Sequence, residues 1–126
     1  MDTHLHKTID AFNRRDFSEA VHQSTEGLAL AKGRDEAFWM GLLDACEGYE
    51  HLVGQRMLKA EAKLIASMQK LRNFGFRHKE FEVTAALAGI RLSVEEIRGV
   101  KQNQKKIFDV SLLPQLRLAA KADNRN

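Results

Sequence analysis

The chain has 126 residues, 44% of them apolar and 29% charged, with a formal net charge of +3. That size and balance fit one globular domain with a packed core and exclude a multidomain enzyme, while a single cysteine, Cys46, excludes an internal disulfide and favours a reducing compartment. No apolar run approaches bilayer length, and the opening Met1-Asp2-Thr3-His4 has no basic-then-apolar leader, so a cytoplasmic protein without membrane attachment is expected.

Proline is absent before Pro114, and apolar residues recur at intervals of three and four, which predicts helices throughout. The first helix runs from about Thr3 to Arg14 with Leu5, Ile9 and Phe12 on one face. After a break at Asn13–Asp16, Asp16 and Glu19 form a capping-box pattern. The helix behind them presents Phe17, Ala20, Val21, Leu28 and Ala31, and Gly33 suits its C′ position. Asp35 is the expected cap of a third helix reaching Val53. Its apolar arc (Phe38, Leu42, Ala45, Tyr49, Leu52, flanked by Trp39, Leu43, Cys46 and Val53) covers half the circumference, so it should pack on two sides. Gly54 marks a turn into a fourth helix, about Gln55 to Arg72, burying Met57, Leu58, Leu64, Ile65, Met68 and Leu71.

The period is lost from Asn73 to Lys79, which reads as a loop. A short helix near Glu80–Ala88 ends at Gly89, and Ser93 with Glu96 forms a second capping-box pattern opening a helix to about Asn103. Pro114 forbids a helix interior among Phe108, Val110, Leu112, Leu113, Leu116 and Leu118, so an extended tail on the core is expected. No strand pair is evident. The predicted fold is all-α: a single-domain bundle of five to seven helices over residues 1–120, an extended C-terminal tail, and a frayed polar end over 121–126.

Charge is segregated. From Gly54 to Lys79, Arg56, Lys59, Lys63, Lys70, Arg72, Arg77 and Lys79 face one acid, Glu61, whereas the third helix sets Asp35, Glu36, Asp44, Glu47 and Glu50 against Arg34 alone. A tight turn at Gly54 makes these helices antiparallel neighbours, so the favoured reading is mutual compensation. The competing reading is an anionic-partner face on Arg56, Lys59, Lys63 and Lys70, extended by Lys101, Lys105 and Lys106. Nucleic acid ranks last among the partners, because no aromatic residue is interleaved among those lysines to stack on bases.

No phosphate loop, nucleophile elbow, paired-cysteine motif or zinc-protease signature is present, so no catalytic residue is assigned. Cys46, Trp39 and Tyr49 fall at core spacing. His4 and His6 receive no role, and His78 lies in a basic loop. His51 is different, because it shares a stripe with Glu47 and Asp44 at i, i+3, i+7, the spacing by which one helix offers imidazole and carboxylate to a single point. His22, with Glu19 and Glu26 nearby on the second helix, could face it. The simpler reading is a polar face with His51 beside Glu47, and the sharper one a divalent metal ion on His51, Glu47, Asp44, His22 and Glu19.

The run Phe12-Asn13-Arg14-Arg15-Asp16-Phe17-Ser18-Glu19-Ala20 resembles the opening of an uncharacterised prokaryotic family, domain of unknown function three hundred and nine. The block Gly41–His51 followed by Gly54-Gln55, and the phrase Leu113-Pro114-Gln115-Leu116-Arg117-Leu118, are similar to that family's later motifs. The resemblance is clearest from Phe12 to Leu71. It implies a compact helical bundle and carries the label of a metal-dependent hydrolase. Of the family's polar cluster only His51 and Glu19 are retained; Val21, His22 and Thr25 stand where the family has histidine and two acids, and Asp44 and Glu47 where it has glutamine and alanine. A weaker similarity, Asp16–Ala20 followed by Leu28-Ala29, is to the first helix of a tetratricopeptide unit, but no repeat of that period is present.

The expected function is that of a small non-enzymatic helical module, without cofactor, acting through an unknown protein partner or as a homo-oligomer. The alternative is a metal-dependent hydrolase in which a bound divalent ion activates water.

Overall fold

The structure is a computed structural model that describes residues 2–101 and 108–119. Five α-helices follow in order: α1 (Thr3–Asn13), α2 (Phe17–Leu30), α3 (Arg34–Val53), α4 (Met57–Leu71) and α5 (Val83–Lys101). Each packs on its predecessor, except that α5 reaches α4 through a small hairpin, so the chain advances as successive antiparallel pairs. The expected helical single domain is therefore what the chain forms.

The starts of α1 and α2 are capped. The Asp2 carboxylate accepts the Leu5 amide at 3.1 Å, and Asp16 accepts that of Glu19 at 3.1 Å. The expected box at Asp16 is half made, because the Glu19 carboxylate accepts instead from the Gln23 side chain at 2.7 Å. Gly33 is not the C′ residue of α2. That helix closes on Ala31 in an extended conformation, and Gly33, at φ +62°, is the N-cap of α3, with Asp35 inside the first turn.

The apolar arc of α3 is buried as its spacing requires: Phe38, Trp39, Leu42, Ala45, Cys46, Tyr49 and Leu52 are all in the core. Phe12 and Phe17 pack on Tyr49 with ring centroids at 5.2 and 5.8 Å, joining α1 and α2 to α3. Against α4 the approach is close. A Cβ on Gly48 would stand 2.6 Å from a Leu64 methyl, so only glycine fits there.

Three expectations are corrected from α4 onward. Leu58 is exposed rather than buried, because it follows the Gly54–Arg56 turn on the outer side of the first helical turn. The segment after α4 is not wholly irregular. A 3-10 turn (Arg72–Phe74) leads into β1 (Arg77–His78) paired antiparallel with β2 (Phe81–Glu82), strands too short to show alternation. The residues beyond form one helix, α5, that runs through Gly89. Ser93 is no cap: it is buried in mid-helix, its Oγ 2.7 Å from the Tyr49 hydroxyl, while the Glu96 carboxylate accepts the Asp109 amide at 3.3 Å.

The tail lies on the core, as expected. Phe108 and Leu116 are buried, a 3-10 turn spans Val110–Leu112, and Leu118 bridges to Phe81. The α1–α2 turn holds it. Asn13 donates to the Leu116 carbonyl at 3.0 Å and accepts its amide at 2.9 Å, while the Arg15 guanidinium donates to the Leu113 and Pro114 carbonyls at 2.9 and 2.7 Å. Gly89 makes room beneath, since a Cβ there would lie 2.6 Å from Pro114. The end of the chain, 121–126, expected to fray, lies outside the described residues. No helix among those described is long and apolar enough to cross a membrane.

Candidate functional site

The tight turn at Gly54 and Gln55 (φ +66°) sets the acidic stripe of α3 beside the basic stripe of α4. Lys63 Nζ lies 2.9 Å from Glu47 Oε1 and 3.7 Å from an Asp44 oxygen, and Lys70 Nζ lies 2.6 Å from the other Asp44 oxygen. The hydrogen bond with Glu47 raises the Lys63 pKa, outweighing the opposing effect of burial. The two helices thus compensate one another's charge.

His51 is engaged from the turn instead of from α4. Arg56 Nε donates to its Nδ1 at 2.8 Å. A guanidinium can only donate, so Nδ1 is the acceptor and its lone pair is taken by Arg56. Glu19 is held by Gln23, and His22 is exposed on α2. The five residues read as a metal set therefore meet lysines, arginine, glutamine or solvent rather than one another. Among the described residues no three His, Cys, Asp or Glu side chains could hold a metal ion together.

The anionic-partner stripe divides in the same way. Lys63 and Lys70 meet the α3 carboxylates, Arg56 reaches His51 and the Glu50 carbonyl, and Lys59 is exposed. Asp44, His51, Lys59, Lys63 and Lys70 share an open groove of about 560 Å³ floored by Ala62 and Ala66. Lys105 and Lys106 lie outside the described residues, as does the Lys101 side chain.

A second polar cluster had no signal in the sequence. Lys79 Nζ bridges Asp2 at 2.6 Å and Asp35 at 3.0 Å and stands 5.7 Å over the Trp39 ring. Lys79 has φ +55°, an uncommon setting for a residue with a Cβ. His78 Nε2 lies 2.9 Å from the other Asp35 oxygen, its ring on Phe38 and Phe74. Burial raises the pKa values of both aspartates, but hydrogen bonds outweigh it, from Lys79 on Asp2 and from His78 and Lys79 on Asp35, and hold both below the ordinary value. The cluster ties the start of α1 and the start of α3 to the hairpin. Cys46 is fully buried, its thiol pushed up to about 12 by desolvation, which makes it inert.

The third feature is apolar. Leu52 and Val53 at the end of α3, Gln55, Met57, Val100 and the tail residues Phe108, Val110 and Leu113 line a groove of about 350 Å³, and none of these described lining residues is charged. Val53 and Val110 on its walls are 54% and 72% exposed. The sequence hid this groove because three of its eight described lining residues, Phe108, Val110 and Leu113, come from the tail. No family model, curated protein or solved structure matches the chain, so these three features carry the functional reading.

Proposed function

We propose that this chain is a non-enzymatic helical module that self-associates through the uncharged groove between the α3–α4 turn and the C-terminal tail. The observation that carries the reading is the composition of that groove: apolar walls with Val53 and Val110 in the open, on a chain 29% charged. A two-fold interface places the same patch against itself, so it must not repel its own copy. The described lining of the groove, which carries no charge, meets that condition, whereas the lysine stripe does not. A cytoplasmic location fits the single buried cysteine, and the motifs around Phe12–Ala20 and Gly41–His51 support a diverged place in the family they resemble. Nothing in the geometry favours the metal-dependent hydrolase.

Sedimentation equilibrium over a concentration series tests the reading. Wild-type protein is expected to dimerise, and Val53→Lys to weaken the dimer by about tenfold or more, since two like charges would face one another in a low-dielectric contact. A wild-type monomer at about 100 μM, a dissociation constant too weak for a stable dimer, overturns it.

A further inference from the structure

Phe76 is the most exposed large apolar side chain described, at 84%, and stands at the far end of α4 from the uncharged groove, about 20 Å away at 1.5 Å per residue. Its backbone is fixed. The Phe76 carbonyl accepts the amides of Val83 at 2.9 Å and Thr84 at 3.3 Å, the first two of α5. On one side Gly75 turns the chain at φ +71° and Phe74 is buried against Phe38; on the other Arg77 enters the hairpin and meets Glu82 at 3.0 Å. The ring is thus presented to solvent on a turn already ordered in the free protein.

Arginines lie near it along the chain. Segment 72–77 contains Arg72 and Arg77 and no acid. Arg34 joins from the start of α3, its guanidinium 4.6 Å over the Phe74 ring and donating to the Asn73 carbonyl at 2.6 Å. Among the described residues neither Arg34 nor Arg72 has a carboxylate partner. Arg77 is paired with Glu82, but Arg34 and Arg72 keep charge that no described carboxylate takes, unlike Lys63 and Lys70 of α4, and an exposed aromatic ring lies on the same turn.

We infer that this turn binds single-stranded nucleic acid, with Phe76 stacking on an unpaired base and Arg34 and Arg72 meeting flanking phosphates. Every base offers a flat π-face, and a polyphosphate backbone matches the arginines whatever the sequence. A duplex hides its base faces. An acidic protein would satisfy the arginines but would have to bring its own pocket for a ring that protrudes from a convex turn.

Fluorescence anisotropy with a labelled oligothymidine of about twenty nucleotides, at low salt, tests the proposal. Wild-type protein is expected to bind it more tightly than a blunt duplex of equal length. Phe76→Ala is expected to weaken binding about tenfold or more, Phe76→Trp to preserve it, and Arg72→Ala to weaken it and lower its salt dependence. Because Phe76 is exposed, its replacement leaves the fold intact, checked by circular dichroism. The proposal is overturned by no binding at about 100 μM protein, by Phe76→Ala binding like wild type, or by displacement of the strand by polyglutamate as readily as by unlabelled oligothymidine. That last result would assign the turn to acidic proteins. Self-association through the distant groove is read separately, so either proposal can fail without the other.

Discussion

In mid-helix α3 and α4 set Asp44 and Glu47 against Lys63 and Lys70, whereas at the Gly54 end the same two helices leave Val53 and Met57 in a groove whose described lining carries no charge. The first region carries the chemistry-bearing side chains and satisfies them internally. The second, among the described residues, carries none. Asp44 and Glu47 are thus engaged in holding α3 to α4, while the exposed apolar side chains lie elsewhere, at the Gly54 end and on the turn at Phe76.

The largest expected effect lies beneath the polar layer. Leu64 is fully buried against Gly48, and Leu64→Ala is expected to cost about 2–5 kcal/mol in urea denaturation, the transfer and cavity cost of a core leucine. A loss under about 1 kcal/mol would mean that the α3–α4 seam is not tightly packed. Next comes the tail. Asn13→Ala removes both hydrogen bonds to the Leu116 backbone and should cost about 1–3 kcal/mol. Hydrogen exchange should rise within 108–119 and leave α3 protected, and self-association should weaken because the tail forms one wall of the groove. Uniform exchange across the chain would deny the clamp a local role.

A smaller effect belongs to the cluster at Lys79. Asp2 and Asp35 titrate below their ordinary value of 3.8 in the folded state, so between the two values the unfolded chain binds more protons. Their contribution is complete above the ordinary value and is lost as pH falls through the folded ones. Lys79, raised above 10.5, contributes fully below that value and loses its contribution as pH rises through its folded pKa. Urea midpoints for Lys79→Met should depend less steeply on pH between about 2 and 5 than those of wild type. Parallel curves would show that Lys79 does not hold the aspartates down. The smallest effect is expected from Lys63→Met, about 0–1 kcal/mol, since its ion pairs stand partly in solvent.

How far the fold could be read depended on the range of each interaction. The arc from Phe38 to Leu52 is local periodicity and was legible, as were the turn at Gly54 and the extended course imposed by Pro114. Ser93 and Glu96 misled because their local pattern is that of a cap, whereas their partners, Tyr49 and Asp109, lie 44 and 13 residues away. Gly33 fits the end of one helix as well as the start of the next, and only the backbone decides. The stripe Asp44, Glu47, His51 was visible as a stripe. That lysines face it followed from the tight turn, but that Arg56 takes the His51 nitrogen did not. The Lys79 cluster and the Asn13–Leu116 clamp join residues whose distance in sequence leaves no periodic trace.

The claim on which the account turns is that the α3 stripe is satisfied by the protein itself, and calorimetric titration of the purified chain with zinc and with manganese tests it most directly. With Asp44 and Glu47 on lysines and His51 on Arg56, wild-type protein is expected to bind neither ion more tightly than about 1 mM, while Lys63→Met with Lys70→Met, which frees both carboxylates, should gain affinity. One equivalent of tightly bound metal in the wild type, lost in His51→Ala, would contradict the account.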